Sequence, residues 1–577
     1  MKLILKYIKK YKLLAIFNVF SIFGFALVEL GIPTIMAKVI DRGIANKDIV
    51  YIKRMGIIII AISILGSLGT ILLGYCSAKI STNVTRDIRN DIFTKVQGFS
   101  HSEYNKFGIS SMITRTTNDA FQLLQFMNTL LRMALITPLM FIISLIMIVK
   151  TSLPLTVVLA VTIPFIIVSV IVIAKISHPL SETQQKRLDK LNRISRENLT
   201  GIRVIRAFGN DKYEKERFAK TNGDYADVSK KLFKLMAISQ PSFFLLLNIA
   251  ILAIFWISSN MINAGNLQVG QLVAFIEYLF HAMFSIMLFS TVFVMYPKAQ
   301  VSANRIGEIL NEHPLIKNPK NGIKEAKRIE TIEFDHVTFK YPNGEESTLK
   351  DISFKAKKGE TIAFIGSTGS GKSTLINLVP RFYDVTEGSI KIDGIDIREY
   401  DLKVLRKRMG FIPQRTLLFK GSISTNIKFG KRNATYEEVK HSAKISQAYD
   451  FISRKPGKFD EEISEGGSNV SGGQKQRLSI ARAIVRKPEI YIFDDSFSAL
   501  DFKTDAILRG RLKEVTTESI VLIVAQRIGS ILNADKIIVL NEGEIVGTGT
   551  HKELLKSCEI YKEIAASQLT EEELRNA

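Results

Sequence analysis

A glycine-rich run in the C-terminal half of the chain has the residue types and spacing that bind phosphate. It occupies residues 366–374, directly after the apolar stretch 361–365, and its Lys-Ser pair opens a predicted helix. This order of strand, glycine loop and helix is typical of a phosphate-binding loop, whose backbone N–H groups and helix N-terminus contact phosphate oxygens. We expect the Lys372 ammonium to reach the β- and γ-phosphates and the Ser373 hydroxyl to bind Mg²⁺. The predicted nucleotide-binding residues of this run are Gly366, Ser367, Thr368, Gly369, Ser370, Gly371, Lys372, Ser373 and Thr374.

Three side chains elsewhere in this half complete the expected site. An apolar strand, 489–493, ends in Asp494. The C-terminal end of a buried parallel strand is where the acidic partner of bound Mg²⁺ is expected. Tyr341 follows the predicted strand 332–339 and is placed to stack on adenine, and Gln414 is a candidate to bind Mg²⁺ and to sense the γ-phosphate. Taken alone, Tyr341 and Gln414 are also compatible with ordinary surface positions.

A second motif, formed by Ser471, Gly472, Gly473 and Gln474, lies far beyond the loop in sequence. Its hydroxyl and N–H donors suit a phosphate, yet the first loop can hold a nucleotide by itself. A glycine-rich loop that needs a complementary Ser-Gly-Gly from elsewhere implies a nucleotide held between two subunits. We therefore predict that this motif acts on a nucleotide bound by a partner.

The N-terminal half contains six apolar runs, each long enough to cross the roughly 30 Å hydrocarbon core of a bilayer as a helix. Short connections join the runs on one side, and long connections rich in Lys and Arg, at about 79–125 and 175–235, join them on the other. Since cytoplasmic loops collect Lys and Arg, we predict that both termini lie in the cytoplasm. The predicted spans are 13–37, 55–78, 126–149, 153–174, 236–261 and 271–296.

The charge of the chain is strongly basic, with 78 Lys and Arg against 55 Asp and Glu and a formal net charge of +23. Such an excess is compatible with nucleic-acid binding, but the sequence lacks an aromatic-basic stripe or a recognition-helix motif. The tendency of cytoplasmic loops of membrane proteins to collect Lys and Arg explains this positive excess better. We therefore predict no nucleic-acid partner. Cys76 and Cys558 lie in unrelated contexts and predict neither a disulfide framework nor a metal site.

Together these motifs resemble those of ATP-binding cassette (ABC) exporter half-transporters over nearly the whole chain. The resemblance rests on the phosphate loop, the run 411–414, the signature 471–474, the strand end at Asp494 and the run 498–501. It implies ATP and Mg²⁺ as cofactors, and a second half-transporter arranged head-to-tail, so that each signature closes over the other chain's ATP. The implied fold is an all-α membrane domain of six helices followed by an α/β P-loop nucleotide-binding domain. We place the transmembrane domain at 1–310, a linker at 311–330 and the nucleotide-binding domain at 331–577.

Two predicted cytoplasmic segments, 107–119 and 197–208, have a sequence pattern that goes beyond their charged residues. They resemble the stretches of ABC exporters in which short coupling helices insert into the nucleotide-binding domains. Either segment alone is equally compatible with a solvated charged helix, whereas the two together favour coupling.

Two positions depart from the family pattern. The residue after the Mg²⁺ aspartate is usually a Glu that positions the attacking water; here it is Asp495, whose carboxylate is withdrawn by roughly 1–1.5 Å, a distance that matters in catalysis. The later switch residue is usually His, whereas Gln526 lacks the charge and tautomers of an imidazole. We therefore predict a degenerate catalytic corner that binds ATP and hydrolyses it slowly. The intact signature favours a heterodimer with a competent partner, and the alternative is a homodimer.

The sequence limits the choice of substrate only through the composition of the predicted spans. They are apolar, which suits a hydrophobic or amphipathic compound of drug or lipid type, moved outward across the cytoplasmic membrane among membrane lipids. Glu277 and His281 share one face of the sixth span, and Glu29 lies in the first. These three residues could line a substrate path, or they could form interhelical hydrogen bonds. The competing function is a nucleotide-gated channel or sensor that binds ATP without pumping.

Overall fold

The computed structural model describes residues 1–325, 328–342 and 344–569, and it separates into two compact units. The first comprises Met1–Gln97 and Ser110–Glu312, and the second comprises Gly98–Ile109 together with the chain from His313 onward. From the sequence, we expect all of 1–310 to belong to the transmembrane domain. In the structure, the short segment Gly98–Ile109 instead lies with the second unit.

The first unit is built from long helices. In the part of the chain that the structure describes, six helical segments of 43 to 55 residues are long and apolar enough to cross a membrane, and they include the six predicted spans. At 1.5 Å per residue they extend about 65–80 Å, so they continue beyond a bilayer core of roughly 30 Å. The helices up to residue 311 are α1 (Lys2–Ile8), α2 (Lys12–Lys38), α3 (Ile49–Gln97), α4 (His101–Phe107, in the second unit), α5 (Ile109–Thr114), α6 (Ala120–Thr129), α7 (Ile136–Thr151), α8 (Leu153–Ala207), α9 (Asp211–Asn263) and α10 (Val269–Asn311).

Small residues allow α2 and α3 to approach closely. A Cβ added to Gly24 would lie 3.2 Å from Cα of Gly69, and one added to Gly66 would lie 1.8 Å from Cγ2 of Val28. A larger side chain at Gly66 would therefore push the helices apart, and such contacts between small residues are typical of helix packing in membranes. Buried apolar side chains of α2 and α7–α10 form a further core in this unit.

Within the described residues, the second unit is an α/β domain with three sheets. Its strands are β1 (Thr331–Phe339), β2 (Leu349–Lys357), β3 (Thr361–Gly366), β4 (Glu387–Ile392), β5 (Ile395–Asp396), β6 (Met409–Ile412), β7 (Gly421–Ser422), β8 (Glu462–Ile463), β9 (Ile490–Asp494), β10 (Ile520–Val524), β11 (Lys536–Asn541) and β12 (Glu544–Gly549). Its later helices are α11 (Lys372–Leu378), α12 (Leu402–Lys407), α13 (Ile423–Lys428), α14 (Tyr436–Ile445), α15 (Tyr449–Ser453), α16 (Gly472–Ile484), α17 (Phe502–Thr516), α18 (His551–Ser557) and α19 (Glu559–Ala566). The large sheet has the order β12-β11-β3-β10-β9-β6, and its strands run parallel except for β12.

The central strands of the large sheet bring the predicted site together. All five residues of β9 and all five of β10 are buried, as expected for parallel strands that are covered on both faces. Val524 pairs with Asp494 on one side and with Phe364 on the other. Because these neighbours are parallel, their carboxyl ends meet at one edge of the sheet. The membrane helices and this α/β domain confirm the predicted fold class.

Candidate nucleotide-binding site

The phosphate loop makes a tight turn that requires glycine at two positions. It leaves β3 at Gly366 and enters α11 at Lys372. Gly371 has φ +93°, and a Cβ there would lie 2.7 Å from Cδ2 of Leu349; a Cβ on Gly366 would lie 2.0 Å from the Leu540 carbonyl oxygen. Loops of this kind present successive backbone N–H groups to an anion, which is the chemistry predicted from the sequence.

The Lys372 side chain folds back over this loop. Its Nζ donates hydrogen bonds to the carbonyl oxygens of Gly366 (2.8 Å) and Ser367 (2.6 Å) and to Oγ of Ser370 (3.3 Å). Burial lowers the pKa of Lys372, and the carboxylates of Asp495 and Asp494 act in the opposite direction. The ammonium therefore lies against the loop that we predict to hold phosphate.

Ser373 and Asp494 come together although 121 positions separate them in sequence. Ser373 Oγ donates a hydrogen bond of 2.8 Å to Oδ1 of Asp494. Burial raises the pKa of Asp494; the nearby Asp495 adds to this effect, while Ser373 and Lys372 oppose it. A hydroxyl and a carboxylate are oxygen donors of the kind that Mg²⁺ prefers, so this pair fits the cation implied by the phosphate loop. When bound, Mg²⁺ neutralises the charge that develops on the phosphate oxygens.

We expect Asp494→Asn to raise the melting temperature of the nucleotide-free protein at neutral pH by about 2–4 °C, the shift that ~1 kcal/mol produces in a domain of this size. Because its pKa is raised on folding, this carboxyl stabilises the fold fully below its unfolded pKa of about 3.9 and loses that contribution as pH rises through the folded value. The asparagine carries no charge, so its advantage should shrink as the pH falls. Thermal melts of both proteins between about pH 5 and pH 8 measure this, and an advantage that does not change with pH would contradict it.

Asp495 adopts a backbone conformation that few residues other than glycine adopt. Its φ is +45°, in the left-handed region where Asp is enriched. Its N–H donates to the Val524 carbonyl oxygen at 3.0 Å, which ties it to the end of β10. Gln414 Nε2 donates to Oδ2 of Asp495 at 3.2 Å. The structure therefore joins Gln414 directly to one of the two residues that depart from the family pattern.

Gln526 follows β10, and its side chain is exposed. Gln568, which is not among the predicted site residues, makes two hydrogen bonds to the backbone of this segment. Its Nε2 donates to the Gln526 carbonyl oxygen at 2.9 Å, and its Oε1 accepts from the Ile528 N–H at 2.8 Å. A lone glutamine after α19 forms no recognisable pattern, so the sequence offers no signal for these two hydrogen bonds.

Tyr341 lies beside the phosphate loop. Its hydroxyl is 3.0 Å from Oγ1 of Thr374, so the structure joins two of the predicted nucleotide-binding residues. Its ring packs edge-on against Phe339 and Tyr383, with centroids 4.8 and 5.2 Å apart. Stacking on adenine stays a prediction for this residue.

The signature residues begin helix α16. Ser471 is the N-cap: its Oγ accepts from the Gln474 N–H at 3.3 Å, and its own N–H donates to Gln474 Oε1 at 3.1 Å. A Cβ on Gly472 would have no atom within 4 Å, whereas one on Gly473 would lie 3.1 Å from the Ala499 carbonyl oxygen. In the ranges that the structure describes, no hydrogen bond joins residues 471–474 to the phosphate loop, so the two motifs form separate parts of one chain.

In the first unit, His281 on α10 pairs with Glu29 on α2. His281 Nε2 lies 3.5 Å from Oε2 of Glu29, and nearby the hydroxyls of Tyr278 and Thr34 are 2.5 Å apart. Glu277, which shares a helix face with His281, is exposed. The contact between His281 and Glu29 is an interhelical pair. A role in a substrate path stays a prediction for these residues.

Comparison with known proteins covers both units. Residues 15–287 match the family described as "ABC transporter transmembrane region", and residues 349–498 match the family described as "ABC transporter". The uncharacterized ABC transporter ATP-binding protein YfiB of Bacillus subtilis (strain 168) is 37% identical over 569 residues, 98% of each chain. A putative multidrug export ATP-binding/permease protein of Staphylococcus aureus (strain NCTC 8325 / PS 47) is 32% identical over 98% of this chain and 99% of its own length. A solved structure of a bacterial Atm1-family ABC exporter with ATP bound has a TM-score of 0.78 and 23% identity, with 98% of each chain covered.

The similarity to these relatives extends across the membrane helices and the α/β domain alike, as the predicted resemblance requires. The chain belongs to the ABC transporter family: it is an exporter half-transporter that carries its transmembrane domain and its transport-coupled ATPase domain on one polypeptide.

Proposed function

We propose that this chain is the degenerate-site subunit of a heterodimeric ABC exporter. Its own phosphate loop binds ATP that it hydrolyses slowly, and its signature completes the competent site of a partner half-transporter. The observation that carries the proposal is the combination of a well-formed loop with a shortened carboxylate at Asp495, which faces Gln414 at 3.2 Å. Binding and hydrolysis depend on different residues, so one can persist while the other weakens.

Binding is supported by the geometry around the loop. Lys372 lies against it, Tyr341 lies beside it, and the Ser373–Asp494 pair offers oxygen ligands for Mg²⁺. Gln414, the further candidate ligand for Mg²⁺, donates to Asp495, the residue that follows Asp494. These residues suffice to hold the triphosphate and its cation without any contribution from Asp495 or Gln526.

Slow hydrolysis follows from the two departures. Asp495 is one methylene shorter than Glu, and its backbone is held by Val524, so the carboxylate cannot move forward freely. A displacement of ~1 Å can cost about a hundredfold in rate. Gln526 cannot carry the positive charge that an imidazole supplies at the switch position.

The transport part of the proposal rests on the membrane unit. We infer that the chain lies in the cytoplasmic membrane with both termini in the cytoplasm, because the long connections rich in Lys and Arg share one side. Apolar helices with few charges suit a hydrophobic or amphipathic substrate, and the S. aureus relative is described as a putative multidrug exporter.

Purification from the native membrane tests the proposal. A second half-transporter should co-purify, and Asp495→Ala or Gln526→Ala in this chain should leave ATP turnover of the pair within roughly a factor of two, because the competent site lies elsewhere. Recovery of this chain alone with brisk ATPase activity would instead establish the homodimer. Loss of turnover in either alanine variant would show that this chain's own site is the working one.

A further inference from the structure

A cavity of about 560 Å³ lies in the second unit, at the edge of the large sheet that is opposite to the phosphate loop. Helices α14, α16 and α17 contribute to its wall, together with Tyr491 of β9 and the residues that directly precede β9 and β10. The predicted ATP site lies instead at the carboxyl ends of these strands, where Asp494 contacts Ser373. The volume is typical of small-molecule sites, which measure about 300–1,000 Å³. The cavity is therefore large enough for a ligand of its own.

Tyr491 is a buried residue of the cavity wall whose hydroxyl has no partner. The residue is 2% exposed, its ring stacks with that of Phe493 at 6.2 Å, and burial raises its pKa to about 12. Within the described residues, no group forms a hydrogen bond with the hydroxyl. Buried tyrosine hydroxyls usually have such a partner, because leaving the donor unpaired costs free energy. Since Tyr491 lines the cavity, a molecule inside it can accept this hydrogen bond.

The wall around Tyr491 is mainly apolar. Ile445 of α14 and Ile484 of α16 are buried in the same core cluster as Tyr491, and Val515 of α17 packs against that cluster. Pro488, just before β9, is buried as well. Removing the apolar part of a ligand from water against such side chains favours binding. An apolar wall with a single buried donor is the usual composition of a small-molecule site.

The carboxylates of the cavity are largely neutralised by cations of the same chain. Four of the described residues that line it are glutamates. One of them, Glu437, lies 4.0 Å from Lys440. The other three make closer pairs, which are Glu438 with Lys431, Glu489 with Arg408 and Glu518 with Arg328. The glutamates therefore leave little negative charge to attract a cationic ligand.

Lys487 is the cation whose charge stays available at the rim. It is exposed and directly precedes Pro488, and in the ranges that the structure describes it has no ion-pair partner. The hydrogen bond from Lys431 lowers the pKa of Glu438, and the charge of Lys487 adds to this effect. That carboxylate already accepts from Lys431 at 2.6 Å, so it does not neutralise Lys487 as well. The balance of charge at the rim therefore favours an anionic ligand.

We propose that this cavity binds an amphipathic carboxylate, a small molecule with an apolar body and one acidic group. The apolar body contacts Ile445, Ile484 and Val515. An acceptor oxygen of the ligand takes the hydrogen bond of the Tyr491 hydroxyl, and Lys487 attracts its negative charge. Such a ligand bridges α14 and the end of α16 to β9. It occupies a site separate from the one predicted for ATP.

Reversible disulfide tethering to the full transporter in lipid nanodiscs tests this site. His441→Cys places a thiol on α14 in the cavity wall, and Lys444→Cys, the matched control, places one a turn further along α14, outside the wall. The native Cys76 and Cys558 are buried, and the unsubstituted chain gives the background. Three disulfide reagents are used, which share a linker and a phenyl body and end in a carboxylate, a carboxamide or an ammonium group. Intact-mass spectrometry after equilibration with excess β-mercaptoethanol gives the labelled fraction.

We expect the carboxylate reagent to label His441→Cys at least about fivefold more than Lys444→Cys, because only the first thiol lets the phenyl body enter the cavity. Tyr491→Phe keeps the ring and removes the donor, so it should lower labelling of His441→Cys about fivefold. Lys487→Gln should lower the preference for the carboxylate over the carboxamide reagent about threefold, the size expected for an exposed charge. The ammonium reagent should label His441→Cys least.

Equal labelling of His441→Cys and Lys444→Cys by all three reagents would show that the cavity holds solvent only, and would overturn the inference. A preference for the ammonium reagent would show that the assigned ligand class is wrong. Labelling that neither Tyr491→Phe nor Lys487→Gln changes would show that the reagent binds elsewhere. Lys487 is exposed, so its variant decides the role of charge even if Tyr491→Phe alters the stability of the domain.

Discussion

The double substitution Asp495→Glu and Gln526→His should raise ATP hydrolysis at this chain's own site by about a hundredfold. The added methylene advances the carboxylate towards the attacking water by roughly the distance that the aspartate lacks, and the imidazole restores a switch side chain that can carry charge. Lys372, Ser373 and Asp494, which we expect to hold ATP and Mg²⁺, keep their own contacts. Single-turnover hydrolysis of radiolabelled ATP by the purified transporter measures the gain.

The matched control is Asp495→Asn with Gln526→Ala, which should stay at the original slow rate. Glu is less suited than Asp to the φ of +45° at position 495, so the melting temperatures of all variants are compared as well. An unchanged rate in a correctly folded double variant that still binds ATP would show that these two residues do not limit hydrolysis. The degenerate-site proposal would then be wrong.

The second large effect is expected at the signature. Gly472→Asp should lower ATP turnover of the pair by about 100- to 1,000-fold while this chain's own ATP binding stays unchanged. A Cβ at Gly472 meets nothing within 4 Å inside the chain, so the fold accommodates the side chain. The carboxylate then stands in the first turn of α16, where the N–H groups and the Ser471 hydroxyl are proposed to meet the partner's ATP. A negative charge there repels the γ-phosphate.

Gly510→Asp is the matched control, because Gly510 is also an open, exposed helical glycine, and it has no role in the proposal. Steady-state ATPase assays of the co-purified pair compare the two variants, and chain-specific photolabelling checks nucleotide binding. Equal activity in Gly472→Asp and Gly510→Asp would show that this signature serves no active site. The hydrolysis assay of the Asp495→Glu and Gln526→His variant can also be run in the Gly472→Asp background. There the partner's site should be inactive, so the remaining hydrolysis should come from this chain's own site.

The sequence predicted the parts of the site that are set by local spacing. The loop at 366–374 is recognisable because a glycine-rich run follows a strand. The carboxyl end of β9 at Asp494 is recognisable because an acidic residue ends an apolar run. Both patterns are continuous in the sequence. The hydrogen bonds of Gln568 to the segment after β10 were not predicted, because one glutamine 42 positions beyond Gln526 has no local pattern. No spacing rule fixes how helices pack against each other, and this packing places Glu29, rather than the helical neighbour Glu277, 3.5 Å from His281.

The placement of α4 escaped prediction for a related reason. Its residues lie within the membrane half of the sequence, and the expected coupling segments were 107–119 and 197–208. In the structure, Oε1 of Glu103 accepts a hydrogen bond from the Leu315 N–H at 3.1 Å, and the His101 ring stacks on Phe382. These contacts instead assign Gly98–Ile109 to the second unit. Contacts between residues more than two hundred positions apart decide this, and they form only in the folded chain.

The assignment of Gly98–Ile109 to the second unit has a consequence for chimeras made by recombination between transporters of this kind. A graft that took the ATPase half from residue 313 onward would leave behind the twelve residues Gly98–Ile109 that complete it. The transplanted half would arrive with the Leu315 N–H and the Phe382 ring facing a foreign helix. We expect functional chimeras to require that this insert travel with the cassette, or that its counterpart in the recipient preserve a glutamate and a ring at the same two positions.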